Sequence, residues 1–146
     1  VGKAPVNVRT DNVDLMSISG HKIYGPKGIG AFLSINKEKF FTPLISGGGQ
    51  ENNVRSGTLA TYLCIGLGEA CRIAREDFDK DHKHYESLQK AALEELKDVP
   101  KVSVNGSMKY RIPNNLNVSF AGVEGESLML RIDDRVAVSS GSACTS

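Results

Sequence analysis

The chain has 146 residues, 40% of them hydrophobic and 6% aromatic, with no tryptophan; that composition suffices for an ordinary core and gives no sign of disorder. Eighteen basic against 17 acidic residues leave a formal net charge of +1, and without a long block of one sign this argues against nucleic-acid binding and polybasic membrane attachment. No apolar run approaches the roughly 18 residues that span a bilayer, and Val1 to Arg9 lacks a signal-peptide layout, so a soluble intracellular protein is expected.

Val1 to Val8 shows no helix start and no hydrophobic period, and looks like a cut end. It leads into Val13, Leu15, Met16 and Ile18, a run that predicts a buried strand ending in small polar residues. The end of a strand is where an α/β sheet places its chemistry. Here that end is Ser19-Gly20-His21-Lys22. The Ser19 hydroxyl, Gly20 N–H and His21 imidazole can turn toward one anion, while Gly25-Pro26 turns the chain away from Lys22. A lysine held there can form a Schiff base; a solvated lysine in a Gly/Pro-rich loop is the alternative.

Ile29 to Ile35 alternates as a second strand, expected to pair beside the first. Gly47-Gly48-Gly49 makes a flexible loop leading to Arg55-Ser56-Gly57-Thr58, whose hydroxyls and N–H groups stand just before a helical pattern. Such a cluster suits either phosphate binding or helix capping. Leu63, Leu67, Ala70 and Ala74 follow helical spacing, with Gly66 and Gly68 admitting a close neighbour. Cys64 and Cys71 lie on one face and read as core residues. A second helix, with Tyr85, Leu88, Ala92 and Leu96 on one face, ends at Pro100.

His82 and His84 point to different sides of that helix and make a poor metal pair. Beyond it Val102 and Val104, a turn at Asn105-Gly106, and Leu116, Val118 and Phe120 predict short strands. Glu124 to Ile132 reads as a short helix and Val136 to Val138 as one more buried strand. The domain boundary is expected between residues 77 and 78. Three cysteines without a C-x-x-C pair argue against a disulfide framework and a zinc knuckle. Cys144 stands in Ser-Ser-Gly-Ser-Ala-Cys-Thr-Ser, small residues that should leave its thiol accessible. Gly-Pro-Lys-Gly-Ile-Gly is not followed by the Lys-Ser/Thr of a Walker loop.

Three of these motifs together resemble one family. Ser-x-His-Lys-x-x-Gly-Pro-x-Gly around Lys22, Gly-Gly-Gly-Gln with Arg-Ser-Gly-Thr at Thr58, and Val-Glu-Gly-Glu-Ser-Leu followed by the Cys144 segment are similar to the NifS/IscS-type cysteine desulfurases. The resemblance runs over essentially the whole chain. It implies an α/β fold, the PLP-dependent transferase fold type I, of which residues 1–77 would be the end of the large domain and 78–146 most of a small α+β domain. It further implies that Lys22 joins pyridoxal 5'-phosphate (PLP) and acts as the base at the substrate Cα. Ser19, Gly20 and His21 would bind the phosphate, and Thr58 would reach the phosphate of the other subunit in a homodimer.

By the same resemblance Cys144 takes sulfur from L-cysteine as a persulfide, releasing alanine, and through that persulfide serves as a transient iron–sulfur ligand. The sulfur would pass to an iron–sulfur scaffold protein and other acceptors, for cluster assembly and tRNA thiolation, in a bacterial cytoplasm or a mitochondrial matrix. The residues that stack on PLP and pair with its ring nitrogen, and the arginine for the substrate carboxylate, have no counterpart here, so the isolated chain is expected to bind PLP weakly and to be inactive. Rival readings are another enzyme of the same fold, a selenocysteine lyase or aminotransferase, and a truncated non-catalytic binding module.

Overall fold

Residues 1–35 and 42–139 are described by the structure, a computed structural model. They fall into two compact units, divided between His82 and Lys83. In the first, β1 (Leu15–Ser19) and β2 (Gly30–Ser34) pair directly, as their alternation predicts. The pairing is antiparallel, with Leu15 opposite Ser34 and Ser19 opposite Gly30. The whole lysine motif is thereby the connection of a hairpin. β1 is less buried than expected: Leu15 is exposed, and Met16 and Ile18 are half-buried, because among the described residues β1 has a strand partner on one edge only.

α1 (Thr61–Glu76) turns the predicted face inward. Ala70 is buried, and Leu63, Leu67 and Ala74 are half-buried. Ile23, one residue past Lys22, is only 4% exposed, and fully burying such a side chain contributes about 1.5–3 kcal/mol. The lysine turn lies directly on α1. A Cβ added to Gly25 would stand 3.3 Å from Ala70 Cβ, and one added to Gly66 only 2.5 Å from Pro26 Cγ. Gly66 therefore admits the close neighbour expected of it, whereas Gly68 has nothing within 4 Å.

Cys64 and Cys71 are not core residues; both are exposed. Two and five positions from Gly66, they lie on the far side of the helix at about 100° per residue. Tyr62 and Ile65 of α1 are exposed as well.

α2 (Phe78–Leu96) runs across the division between the units. Its half-buried residues include Tyr85, Ala92 and Leu96, but also Gln89 and Leu93, while Leu88, expected on that face, is exposed. β3 (Val102–Val104) and β4 (Val118–Phe120) are antiparallel, with Val102 opposite Phe120. Leu116 precedes β4 rather than joining it. Gly106, at φ 79°, bends the chain where the turn was expected, but the connection from 105 to 117 is far longer than a tight hairpin. Arg111 folds it back, donating to the Asn105 carbonyl and, at 3.2 Å, to Asn115 Oδ1.

α3 (Gly125–Ile132) starts on Glu124, whose carboxylate accepts the N–H groups of Glu126 at 3.0 Å and Ser127 at 2.7 Å. Those are two of the donors that a helix start leaves unpaired. The strand expected at Val136 to Val138 is absent: these residues are irregular and exposed, since no described strand offers their backbone a partner.

Candidate functional site

A tight 3-10 turn, Gly20–Ile23, follows β1 and carries His21 and Lys22. The Gly20 N–H donates to Ile29 O at 2.8 Å and the Gly25 N–H to Gly20 O at 2.9 Å, so the turn is closed at both ends. Tyr24 leaves it in the left-handed region, φ 63°. Lys3 supports the far side: its Nζ donates to Tyr24 Oη at 2.8 Å and lies 4.2 Å from the ring centre. Ile23 anchors the turn on α1, and Lys22 is left exposed.

Ser19 Oγ and His21 Nδ1 are 3.1 Å apart, in hydrogen-bond contact. The structure brings these two predicted anion donors together beside Lys22. It removes the third. The Gly20 N–H, expected to face an anion, is committed to Ile29 O, and Gly20 itself is buried. Its glycine has a steric reason: a Cβ there would sit 2.8 Å from Ile29 O and 2.9 Å from Ile29 Cγ2.

The glycine-rich segment forms a closed loop. The Ser56 N–H donates to Ile45 O at 3.3 Å, the Asn53 N–H to Gly49 O at 3.2 Å, and the Gly57 N–H to the Gln50 side-chain carbonyl at 2.9 Å. Glu51, Asn52 and Asn53 all have positive φ, a conformation that costs roughly 1–2 kcal/mol per non-glycine residue. Ser56 is buried at 5% exposure, and Thr58 is exposed. α1 begins from Ala60 with no side-chain cap. Capping therefore does not account for Ser56 or Thr58, and the alternative left open by the sequence closes. Gln50, whose side chain accepts the Gly57 N–H, is not legible as a loop contact in the sequence, because a lone amide beside three glycines carries no local signal of its partner.

Cys144 lies outside the described residues. Among those described, no three His, Cys, Asp or Glu side chains form a metal cluster, and no helix is long and apolar enough to cross a membrane. His82 stacks on Phe78, ring centres 5.7 Å apart. Arg72 bonds Glu69 and Glu76 along α1, which lowers the Glu69 pKa, chiefly through the hydrogen bond to Arg72, and raises that of Arg72. The Glu124 carboxyl is held below its ordinary range, first by the Ser127 N–H, then by the Ser127 hydroxyl and the Glu126 N–H.

The aminotransferase class-V family model matches residues 1–146. The chain is 56% identical over 147 residues to the cysteine desulfurase IscS of Rickettsia africae (strain ESF-5) and 51% identical over 146 residues to that of Vibrio campbellii (strain ATCC BAA-1116), in each case over 99% of this chain and 36% of the relative. The chain thus spans about a third of these relatives' length. Among solved structures, the X-ray structure of a NifS-like protein from Rickettsia africae ESF-5 superposes with a TM-score of 0.83 at 32% identity, covering 97% of this chain and 39% of that one. A second NifS-like protein superposes at 0.82 and 33% identity, over 92% of this chain and 36% of that one. The fold is accordingly part of the PLP-dependent transferase fold type I. With its whole length matched by the family model and by relatives of more than 50% identity, the chain belongs to the aminotransferase class-V family.

Proposed function

We propose that this chain is the lysine- and cysteine-bearing part of a PLP-dependent cysteine desulfurase, which converts L-cysteine to L-alanine and carries the sulfur as a persulfide. The observation that carries this reading is the exposed Lys22 amine on a closed turn, beside the Ser19 and His21 pair. The donor set fits the cofactor: a hydroxyl and an imidazole stand together for a phosphate, with a primary amine one residue beyond them. When bound, PLP supplies the electron sink for the Cα carbanion.

Lys22 Nζ would hold the cofactor and would move the proton at the substrate Cα. Ser19 Oγ and His21 hold the phosphate. Thr58 Oγ1, exposed on the closed glycine loop, donates to the phosphate of a second copy, so the working form is a homodimer. The Cys144 thiol accepts the substrate sulfur: the S–S bond of a persulfide forms, the Cβ–S bond of L-cysteine breaks, and the released carbon skeleton takes the proton that makes it alanine. A segment of small residues lets Cys144 deliver that sulfur to an iron–sulfur scaffold protein or another acceptor.

The test is incubation with PLP and L-cysteine in a polypeptide of the relatives' full length that carries this chain. Alanine and a Cys144 persulfide in equal amounts are expected. Pyruvate or an amino-group acceptor product without persulfide would overturn the reading in favour of another fold-type I reaction.

A further inference from the structure

We infer that Gln50 is a positioning residue, whose side-chain carbonyl clasps the glycine loop and so holds Thr58 ready for an anionic phosphate; the second half of this rests on the role proposed above for Thr58. The Gln50 carbonyl accepts the Gly57 N–H at 2.9 Å, seven residues along the chain. It does so immediately before Thr58, and both groups are at least half-buried, so water competes weakly for the bond.

The loop is shaped around this amide. A Cβ added to Gly48 would sit 3.0 Å from both the Gln50 carbonyl oxygen and its nitrogen, so the glycine leaves room for the side chain to fold over the backbone. Gly57, the acceptor's partner, has φ 121°, and a Cβ there would come within 2.7 Å of Arg55 Nη1. Between the two, Glu51, Asn52 and Asn53 hold left-handed conformations that the free chain would leave. The bonds from the Ser56 N–H to Ile45 O at 3.3 Å and from the Asn53 N–H to Gly49 O at 3.2 Å also tie the loop, and both are longer than that made by Gln50 at 2.9 Å. Releasing the clasp frees the backbone at Gly57, and Thr58 is its next residue. An anion site whose donors must first be ordered binds more weakly by that ordering cost.

The experiment uses two substitutions of equal length. Gln50→Glu keeps a carbonyl-type acceptor at the same reach, and Gln50→Met keeps the bulk but removes the acceptor. Amide exchange at Gly57 and backbone NMR shifts during titration with inorganic phosphate are read in the chain and in both variants. Gln50→Met should accelerate Gly57 exchange roughly five- to tenfold, as expected for one net hydrogen bond, and weaken the phosphate response at Thr58. Gln50→Glu should keep Gly57 protected. Equal protection in Gln50→Met and wild type overturns the inference, as does equal loss in both variants, which would mark the role as one of the amide donors. A wild-type chain with no phosphate response at Thr58, but with Gly57 exchange still accelerated by Gln50→Met, overturns the Thr58 reading and leaves the clasp standing.

Discussion

Gly66 and Gly68 lie two positions apart on α1, and the structure assigns opposite outcomes to the same substitution at each. Replacing either by alanine removes the helix penalty of glycine, a gain of about 0.8–1 kcal/mol. At Gly68 nothing lies within 4 Å of the new methyl, so Gly68→Ala should stabilise the first unit by about that amount. At Gly66 the methyl would meet Pro26 Cγ at 2.5 Å and Cδ at 3.0 Å. A proline ring cannot rotate away as a flexible side chain can, and overpacking of this kind costs about 1–3 kcal/mol. The net for Gly66→Ala is a loss of about 0–2 kcal/mol, taken from the contact that seats the lysine turn on α1. Urea unfolding followed by helical circular dichroism reads both as shifts of the midpoint at constant slope. Stabilisation of similar size by both substitutions would refute the close approach of Pro26 to α1.

Other outcomes follow from the site and the caps. Cys144→Ser should leave cofactor binding intact and abolish persulfide formation, read by mass spectrometry after incubation with L-cysteine; an undiminished persulfide yield would remove Cys144 from its role. Folding holds the Glu124 carboxyl below its ordinary value of 4.5, so its ionised form favours α3 above that pH. This contribution is lost as pH falls through the lowered value. Exchange of the Glu126 and Ser127 amides should therefore accelerate on acidification beyond the intrinsic chemical trend. Glu124→Gln should remove that pH dependence, and an unchanged pH profile in the variant would contradict the cap. Ile23→Ala, which empties the anchor beneath Lys22, should destabilise the first unit by about 2–4 kcal/mol; a thermal melt within a degree of wild type would show that the lysine turn does not depend on α1.

Local pattern carried the elements whose partners are close in sequence. The two-residue alternation at Ile29 to Ile35 survives in the structure because that strand pairs with β1, although Gly30 to Leu33 are exposed, and the spacing of Leu63, Leu67, Ala70 and Ala74 survives because that face of α1 is turned inward. The expectations for Cys64, Cys71 and Val136 to Val138 fail for one shared reason. Apolar character states that a residue can be buried, and burial also needs a partner, which the described residues do not supply. At the site, residue types indicated Ser19, His21 and Lys22, and the structure sets Ser19 Oγ against His21 Nδ1 with Lys22 next along the same turn. They could not reveal that the Gly20 N–H is already committed to Ile29 O, since that bond depends on how two strand ends register. The Gln50 clasp was hidden in the same way: its partner is seven residues distant, across a left-handed turn with no sequence period.

The central claim is that Lys22 holds PLP, and the absorption spectrum with added PLP, followed by borohydride reduction and peptide mapping, tests it most directly. The measurement is made on this chain and on a polypeptide of the relatives' full length that carries it. The account predicts a Schiff-base band in the longer polypeptide, with reduced cofactor mapped to Lys22 and lost in Lys22→Ala. In this chain alone the band should be weak or absent, because most of the contacts that offset the cost of ordering the cofactor lie elsewhere. Reduced PLP on another lysine of the longer polypeptide, or a band that survives Lys22→Ala, would contradict the account.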